Sequence, residues 1–278
     1  MKTAVLQQPC SDLFIYYIAG AVRPDALLHG DTYIGNWQED GFSFLFFTEP
    51  AGSRVRTVVE KQTGLKLLDQ FHMTYEQWQG GPPENFRAGS FLICPPWKDK
   101  AGEQENTIRI LLDPGVVFGN GMHPTTRDCL SFLEEICLTR SPGSALDMGT
   151  GTGLLALAAA GMGCAKVLAL DFNYLAVQTA VKNIALNGLE HQILAFQGRA
   201  EEWMNLPAEL LIANIHYDVM KELVVSEGFL KKKYFILSGL FRSEAEKIQD
   251  ILSALPVTIT ETRERDGVWH TICGKISE

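Results

Sequence analysis

The sequence predicts an α/β chain. A mostly parallel seven-stranded sheet ends in an antiparallel hairpin and is preceded by a small α+β domain. Three observations carry this. From Pro124 onward, strand-like and helix-like runs alternate, which implies a parallel sheet with helices on both faces. The first strand of that series runs into Asp147-Met-Gly-Thr-Gly-Thr-Gly153, a glycine-dense turn that opens an apolar, alanine-rich segment. The last two strand-like runs flank Asp266-Gly267, a strong hairpin signal.

The elements follow in order. Asp12 to Ala19 and Phe42 to Thr48 are apolar and aromatic and read as strands. Ser53 to Thr63 reads as a helix stopped by Gly64, and Gln79-Gly-Gly-Pro-Pro-Glu-Asn85 as a polar linker. Phe91 to Cys94 and Thr107 to Leu112 read as strands around a solvated loop, Lys98 to Asn106. The alternating part has a helix over about 124–138, then strands at Ser144–Met148, 166–170, 192–196, 209–213 and 233–238. Its helices are expected at Leu154–Met162, 174–187, 217–227 and 241–254. Val257–Glu264 and Val268–Lys275 form the closing hairpin. This divides the chain into a small α+β domain (1–75), a linker and strand region (76–106) and the main α/β domain (107–278).

Composition narrows the function classes. Apolar residues make up 46% and charged residues 21%, as in ordinary globular proteins. With 33 acidic and 24 basic residues the net charge is −9, which argues against direct nucleic-acid binding over a broad face. An acidic surface suits a basic protein partner. The six cysteines show no Cys-x-x-Cys pair and no zinc spacing with His, so they read as buried thiols and no metal site is expected. The first residues carry too short an apolar run for a signal peptide, and no stretch reaches membrane-spanning length. A cytoplasmic location is the expectation.

The glycine-dense turn points to a ligand. Glycine lets backbone N–H groups approach a bound group with no Cβ between, and the following helix N-terminus adds partial positive charge. Asp171 closes the next strand, Val167 to Leu170, at the carboxyl edge where open α/β sheets bind ligands, and an acid there accepts hydrogen bonds from ribose hydroxyls. The dinucleotide fingerprint Gly-x-Gly-x-x-Gly fits poorly. Its third position falls on Leu154 counting from Gly149, and on the tolerated Ala156 counting from Gly151. Asp147 ahead of the turn, with glycine at every second position (Gly149, Gly151, Gly153), resembles the S-adenosylmethionine loop of class I methyltransferases. That ligand carries a sulfonium and an amino acid, which suit an acid better than a pyrophosphate does.

A second motif sharpens the resemblance. Asp113-Pro-Gly-Val-Val-Phe-Gly-Asn-Gly-Met-His-Pro-Thr-Thr-Arg127 is similar to the signature loop of the ribosomal protein L-eleven methyltransferases, the PrmA family. Ala213-Asn-Ile215, Leu237-Ser-Gly-Leu240 and Gly267-Val-Trp-His270 follow in the family's order, so the resemblance runs from about residue 86 onward. It implies a Rossmann-like class I methyltransferase fold, S-adenosylmethionine as cofactor, and methylation of amino groups on a basic ribosomal protein. Carried over by position, cofactor contacts fall to Thr126, Gly149, Asp171 and Asn214, with Phe118, Gly119 and Gly121 in the loop beside the cofactor. The chain departs from the pattern at Asn120, at Asn173 and in the reduced linker Trp78 to Phe86, and its amino-terminal domain, which docks the substrate in the family, is only faintly similar.

The chemistry follows. Asn214 ends a strand and offers an amide oxygen to orient an amine, or else caps the next helix. His216 is the candidate proton acceptor, against a bland role at a helix start. His123 reads as structural, and Trp269 as core packing in preference to a substrate wall. Three rivals stay open: a methyltransferase for another protein or a small molecule, a non-catalytic cofactor-binding module, and a nicotinamide-dependent oxidoreductase.

Overall fold

The structure is a computed structural model describing residues 8–98 and 106–277. Two compact units emerge, one reaching Glu84 and including Asn173–Leu175, the other holding the remainder from Asn85.

In the first unit, β1 (Asp12–Ala19), β2 (Tyr33–Glu39), β3 (Phe42–Phe47) and β4 (Lys66–Thr74) form an antiparallel sheet in the order β2-β3-β1-β4. α1 (Gly52–Lys61) buries Val55 and Val58 against Tyr16, Ile18, Leu45 and Phe47. The Tyr16 hydroxyl accepts the Ala51 N–H at 2.7 Å and so fixes the entry to α1. α2 (Tyr75–Gln79) is closed by a capping box between Thr74 and Gln77. Sequence patterning predicted only β1 and β3 as strands here. β2 and β4 are the two edge strands, and β4 is solvent-exposed along most of its length, so neither carries the apolar alternation of a buried strand. The unit extends past residue 75 because Tyr75, the first residue of α2, is fully buried.

The second unit starts with β5 (Phe86–Ala88), β6 (Phe91–Cys94) and β7 (Ile108–Leu111) in one small sheet. The loop expected between β6 and β7 lies outside the described residues except at its ends. After α3 (Pro124–Arg140) come β8 (Ser144–Met148), α4 (Leu154–Gly161), β9 (Lys166–Asp171), α5 (Tyr174–Leu186) and β10 (Ile193–Gln197). Then follow α6 (Ala200–Trp203), β11 (Leu210–Asn214), α7 (Tyr217–Val224), β12 (Tyr234–Phe241), α8 (Arg242–Ser253), β13 (Val257–Arg265) and β14 (Trp269–Ile276). The large sheet runs β10-β9-β8-β11-β12-β14-β13, parallel except that β14 is antiparallel to both its neighbours. This is the seven-stranded sheet and hairpin that the sequence predicts. Asp266 and Gly267 in the hairpin turn both take positive φ, 55° and 69°.

Both faces of the sheet are buried, which is why its strands read as continuous apolar runs. Ala145, Val167, Leu210, Ile212 and Ile236 pack under α3 and α4, while Leu146, Leu170, Leu211, Phe235 and Leu237 pack under α7 and α8. The hairpin is fastened to α3 by two arginines. Arg263 lies 3.8 Å over the Phe132 ring and donates to Ser131 and Glu135, and Arg265 pairs with the buried Asp128 at 2.8 Å. Cys94, Cys129, Cys137, Cys164 and Cys273 are buried free thiols. No helix among the described residues is long and apolar enough to cross a membrane.

Candidate functional site

The strand order reverses between β8 and β11: β9 lies on one side of β8, and β11 with β12 on the other. The carboxyl edge at such a reversal is where open α/β sheets receive ligands. Three predicted residues end strands there: Asp147 near the end of β8, Asp171 on β9 and Asn214 on β11.

The turn leaving β8 depends on its glycines. Gly149, Gly151 and Gly153 take φ of 70°, 54° and 85°. A Cβ on Gly149 would meet the Ile215 side chain at 2.3 Å, and one on Gly151 would meet the Phe118 carbonyl oxygen at 2.7 Å. The turn is therefore hemmed in by the segment after β11 and by the loop before α3, and it runs directly into α4 with Gly153 at the N-cap.

Two carboxylates flank this turn. Asp171 Oδ2 accepts the Gly151 N–H at 3.1 Å. Asp147 is 1% exposed, and its Oδ2 accepts the Thr150 hydroxyl at 2.6 Å and the Ala156 N–H at 3.1 Å. Its Oδ1 is buried with no hydrogen-bond partner among the described residues. Burial pushes the Asp147 carboxyl up to about 7, against its two hydrogen bonds and with a further push from Asp171. Asp147 is among the residues expected to bind the cofactor; one of its oxygens is taken up by the turn and the first turn of α4.

The loop Asp113–Arg127 is held against the same turn from α5. Asn183 is fully buried; its amide donates to the carbonyls of Asp113 (2.9 Å) and Thr152 (2.8 Å), and its oxygen accepts the Asp113 N–H (2.9 Å). Lys182 pairs with Asp113 Oδ2 at 2.5 Å, and the Thr152 hydroxyl donates to the Gly119 carbonyl at 2.7 Å. Gly119 and Gly121 both have positive φ, 101° and 87°, and a Cβ on Gly121 would strike the Phe86 ring. Phe118 gives its carbonyl to the packing while its side chain stands 74% exposed.

The loop ends at His123, the N-cap of α3. Its Nδ1 lies 2.7 Å from the Thr125 hydroxyl and accepts the Thr125 N–H, and burial lowers its pKa. The ring meets Trp269 edge-on at 4.8 Å, and Trp269 stacks on Phe241 at 4.8 Å. His123 caps α3, and Trp269 is half-buried against the exposed Phe241, outside the core clusters.

The first turn of α3 meets the end of β11. Asn214 Nδ2 donates to the Thr125 hydroxyl at 3.3 Å and reaches Thr126 Oγ1 at 3.5 Å. Its Oδ1 faces Gly239, where a Cβ would stand 3.0 Å away. Asn214 does not cap α7; that position is His216, which is exposed and makes no side-chain cap bond. The fold thus gathers Thr126, the Gly149–Gly153 turn, Asp171 and Asn214 on one sheet edge, with Gly119, Gly121 and Phe118 in the loop over the turn.

Sequence reasoning missed Asn183, Thr125, Thr152 and Ile215. A signal for Asn183 exists: it and Asn187 stand four apart at the carboxyl end of α5, and Asn187 likewise brackets the Leu111 backbone at 2.9 and 2.7 Å. Among the described residues no group of three His, Cys, Asp or Glu could hold a metal ion.

Comparison with known proteins gives concordant matches. A family model described as "Ribosomal protein L11 methyltransferase (PrmA)" matches residues 69–277. The Ribosomal protein L11 methyltransferase of Exiguobacterium sibiricum is 36% identical over 186 residues, which is 66% of this chain and 58% of that protein. The protein of the same name from Halalkalibacterium halodurans is 33% identical over 239 residues, 81% of this chain and 75% of that protein. The match to the first of these thus spans less than two thirds of that relative's length. Among solved structures, the ribosomal protein L11 methylase of Lactobacillus delbrueckii subsp. bulgaricus superposes with a TM-score of 0.61 at 27% identity, covering 70% of this chain and 100% of that one.

Proposed function

Because the chain belongs to the ribosomal protein L11 methyltransferase family, we propose that it is an S-adenosylmethionine-dependent protein N-methyltransferase. Its acceptors are lysine or α-amino groups of a basic ribosomal protein of the L11 kind. The observation that carries this reading is the meeting of the positive-φ turn Gly149–Gly153, Asp171 and the Asn214–Thr125 pair at the strand-order reversal.

The residues present fit the cofactor. Gly149 and Gly151 hold a positive-φ turn in which a Cβ would strike Ile215 or the Phe118 carbonyl, Asp171 offers a carboxylate at the end of β9 for ribose hydroxyls, and the Asp147 carboxyl lies beneath the turn. When bound, S-adenosylmethionine supplies an electrophilic methyl group on a sulfonium. The protein's part is alignment and control of the acceptor's proton. A lysine amine has a free pKa near ~10.4, so presenting it neutral at pH 7 costs about 4–5 kcal/mol unless the site removes water or a proton. Asn214 suits that task. Its amide nitrogen is engaged by the Thr125 and Thr126 hydroxyls, which leaves the uncharged Oδ1 to accept an amine N–H without stabilising an ammonium as a carboxylate would. His216, exposed two residues later, or water takes the released proton. Phe118 and Met122, both exposed on the loop, form an apolar rim.

A second reading, methylation of a different protein, draws on the family match beginning at residue 69, which leaves β1 to β3 and α1 outside it. One experiment separates the two. Labelled methyl is transferred from S-adenosylmethionine to ribosomes and to whole lysate, with Asp171→Ala as control. A single labelled band at the size of ribosomal protein L11, absent in the control, supports the first reading. A different band supports the second, and no label despite cofactor binding overturns both.

A further inference from the structure

The two carboxylates flanking the Gly149–Gly153 turn are not equivalent. Asp171 is at the strand end and takes a backbone N–H. Asp147 is beneath the turn, with one oxygen taking both of its hydrogen bonds and the other taking none among the described residues. Among the described residues the groups around Asp147 offer no compensating cation. β9 contributes the like charge of Asp171, and α3 contributes the fully buried Cys129 thiol. α4 presents a backbone N–H, and the register neighbours Ile212 on β11 and Ala169 on β9 are apolar. A carboxyl so enclosed, half satisfied and beside a second carboxylate, favours its neutral form.

The proposed cofactor would bring a sulfonium and an ammonium to this turn, offset in part by its own carboxylate. Resting on that reading, we propose that Asp147 is a proton switch: it is a neutral acid while the turn holds no cation, and it releases its proton to solvent when the cofactor binds. The O–H bond of the carboxyl breaks, its electron pair stays on the carboxylate, and no covalent bond to the cofactor forms. The resulting carboxylate is the counter-charge held under the turn. The group titrates near 7, so the exchange falls in the neutral range.

The test is isothermal titration calorimetry of the full chain with S-adenosylmethionine, run in pairs of buffers with different ionisation heats. Release of about 0.8 proton at pH 6.5 and about 0.1 at pH 8 is expected, with affinity rising about tenfold between pH 6 and pH 8. Asp147→Asn keeps an oxygen for Thr150 and Ala156, and is expected to bind with no proton release and no such pH dependence. If that variant does not fold, infrared difference spectra of the unmodified protein at pH 6.5 serve instead, showing loss of a protonated-carboxyl band on binding. Measurable binding at pH 6.5 without proton release, or a carboxyl band that persists, overturns the proposal and leaves the proposed function standing. Absence of binding at every pH overturns the proposed function itself, and the switch with it.

Discussion

Asn183→Ala is the sharpest test of how the site is held. The side chain is fully buried and makes three hydrogen bonds of 2.8–2.9 Å to backbone groups of Asp113 and Thr152. Alanine leaves one N–H and two carbonyls without that partner, in a region closed to water. Each buried group left unsatisfied costs about 1–3 kcal/mol, so the three together are expected to cost about 3–9 kcal/mol. That is a large share of the roughly 5–15 kcal/mol by which domains are stable. The loss has a local signature too, because Asn183 is the shared anchor of the Asp113–Arg127 loop and the glycine turn. Urea unfolding should show the lower stability. Hydrogen exchange should quicken at Asp113 and Gly115, and S-adenosylmethionine affinity should fall about tenfold or more. An Asn183→Ala protein within about 1 kcal/mol of the parent, with unchanged cofactor affinity, refutes the reasoning.

Other outcomes follow from single contacts. Asp171→Ala should weaken S-adenosylmethionine binding by about 10–100-fold, the worth of one or two charge-assisted hydrogen bonds, as read by calorimetry. Arg265→Met strands Asp128, one of whose oxygens already lacks a partner among the described residues; a loss of about 1–3 kcal/mol in urea is expected, discounted because Arg265 is half exposed. Adding Asp128→Leu to that variant should recover most of the loss, and a double variant no better than the single one would count against a strained pair. Lys232 is buried with its ammonium donating to the carbonyls of Met204 and Leu206, and burial lowers its pKa to about 8. The unfolded chain keeps that proton to about 10.4, so between those values it binds more protons than the folded one and stability rises with pH. Lys232→Met should flatten this rise in melting curves taken from pH 7.5 to pH 10.

Much of the second unit was legible because its signals are local. Parallel strands buried on both faces show as apolar runs, Asp266-Gly267 announces its hairpin, and the glycine turn is written in seven consecutive residues. Strand ends were less legible: β12 runs on to Phe241, past a register shift near Gly239 that makes room for the Asn214 amide. The first unit was half legible, because edge strands such as β4 need not hide either face. The fastenings of the site were not legible at all. Asn183 meets Asp113 across 70 residues and Arg265 meets Asp128 across 137, and no periodicity reports pairs so distant in sequence. The hydrogen bonds that Asp147 makes to Thr150 and Ala156 were not legible either, since a strand-end acid looks the same in sequence whatever its partners.

Strand β14 is the last made of the large sheet, yet it sits inside it, between β12 and β13. In this sheet β13 pairs with β14 alone, so it cannot join the sheet before β14 does. Until Trp269–Ile276 follows, β12 keeps an open backbone edge, and a nascent chain with such an edge invites mispairing. Gly274 marks how tightly the late strand must insert, since a Cβ there would meet the Phe235 ring at 2.3 Å and the Thr258 carbonyl at 2.6 Å. The parallel layers can collapse early, but the sheet is committed only when its final strand threads into a slot one side chain deep. A chaperone acting on this protein would matter most in that interval.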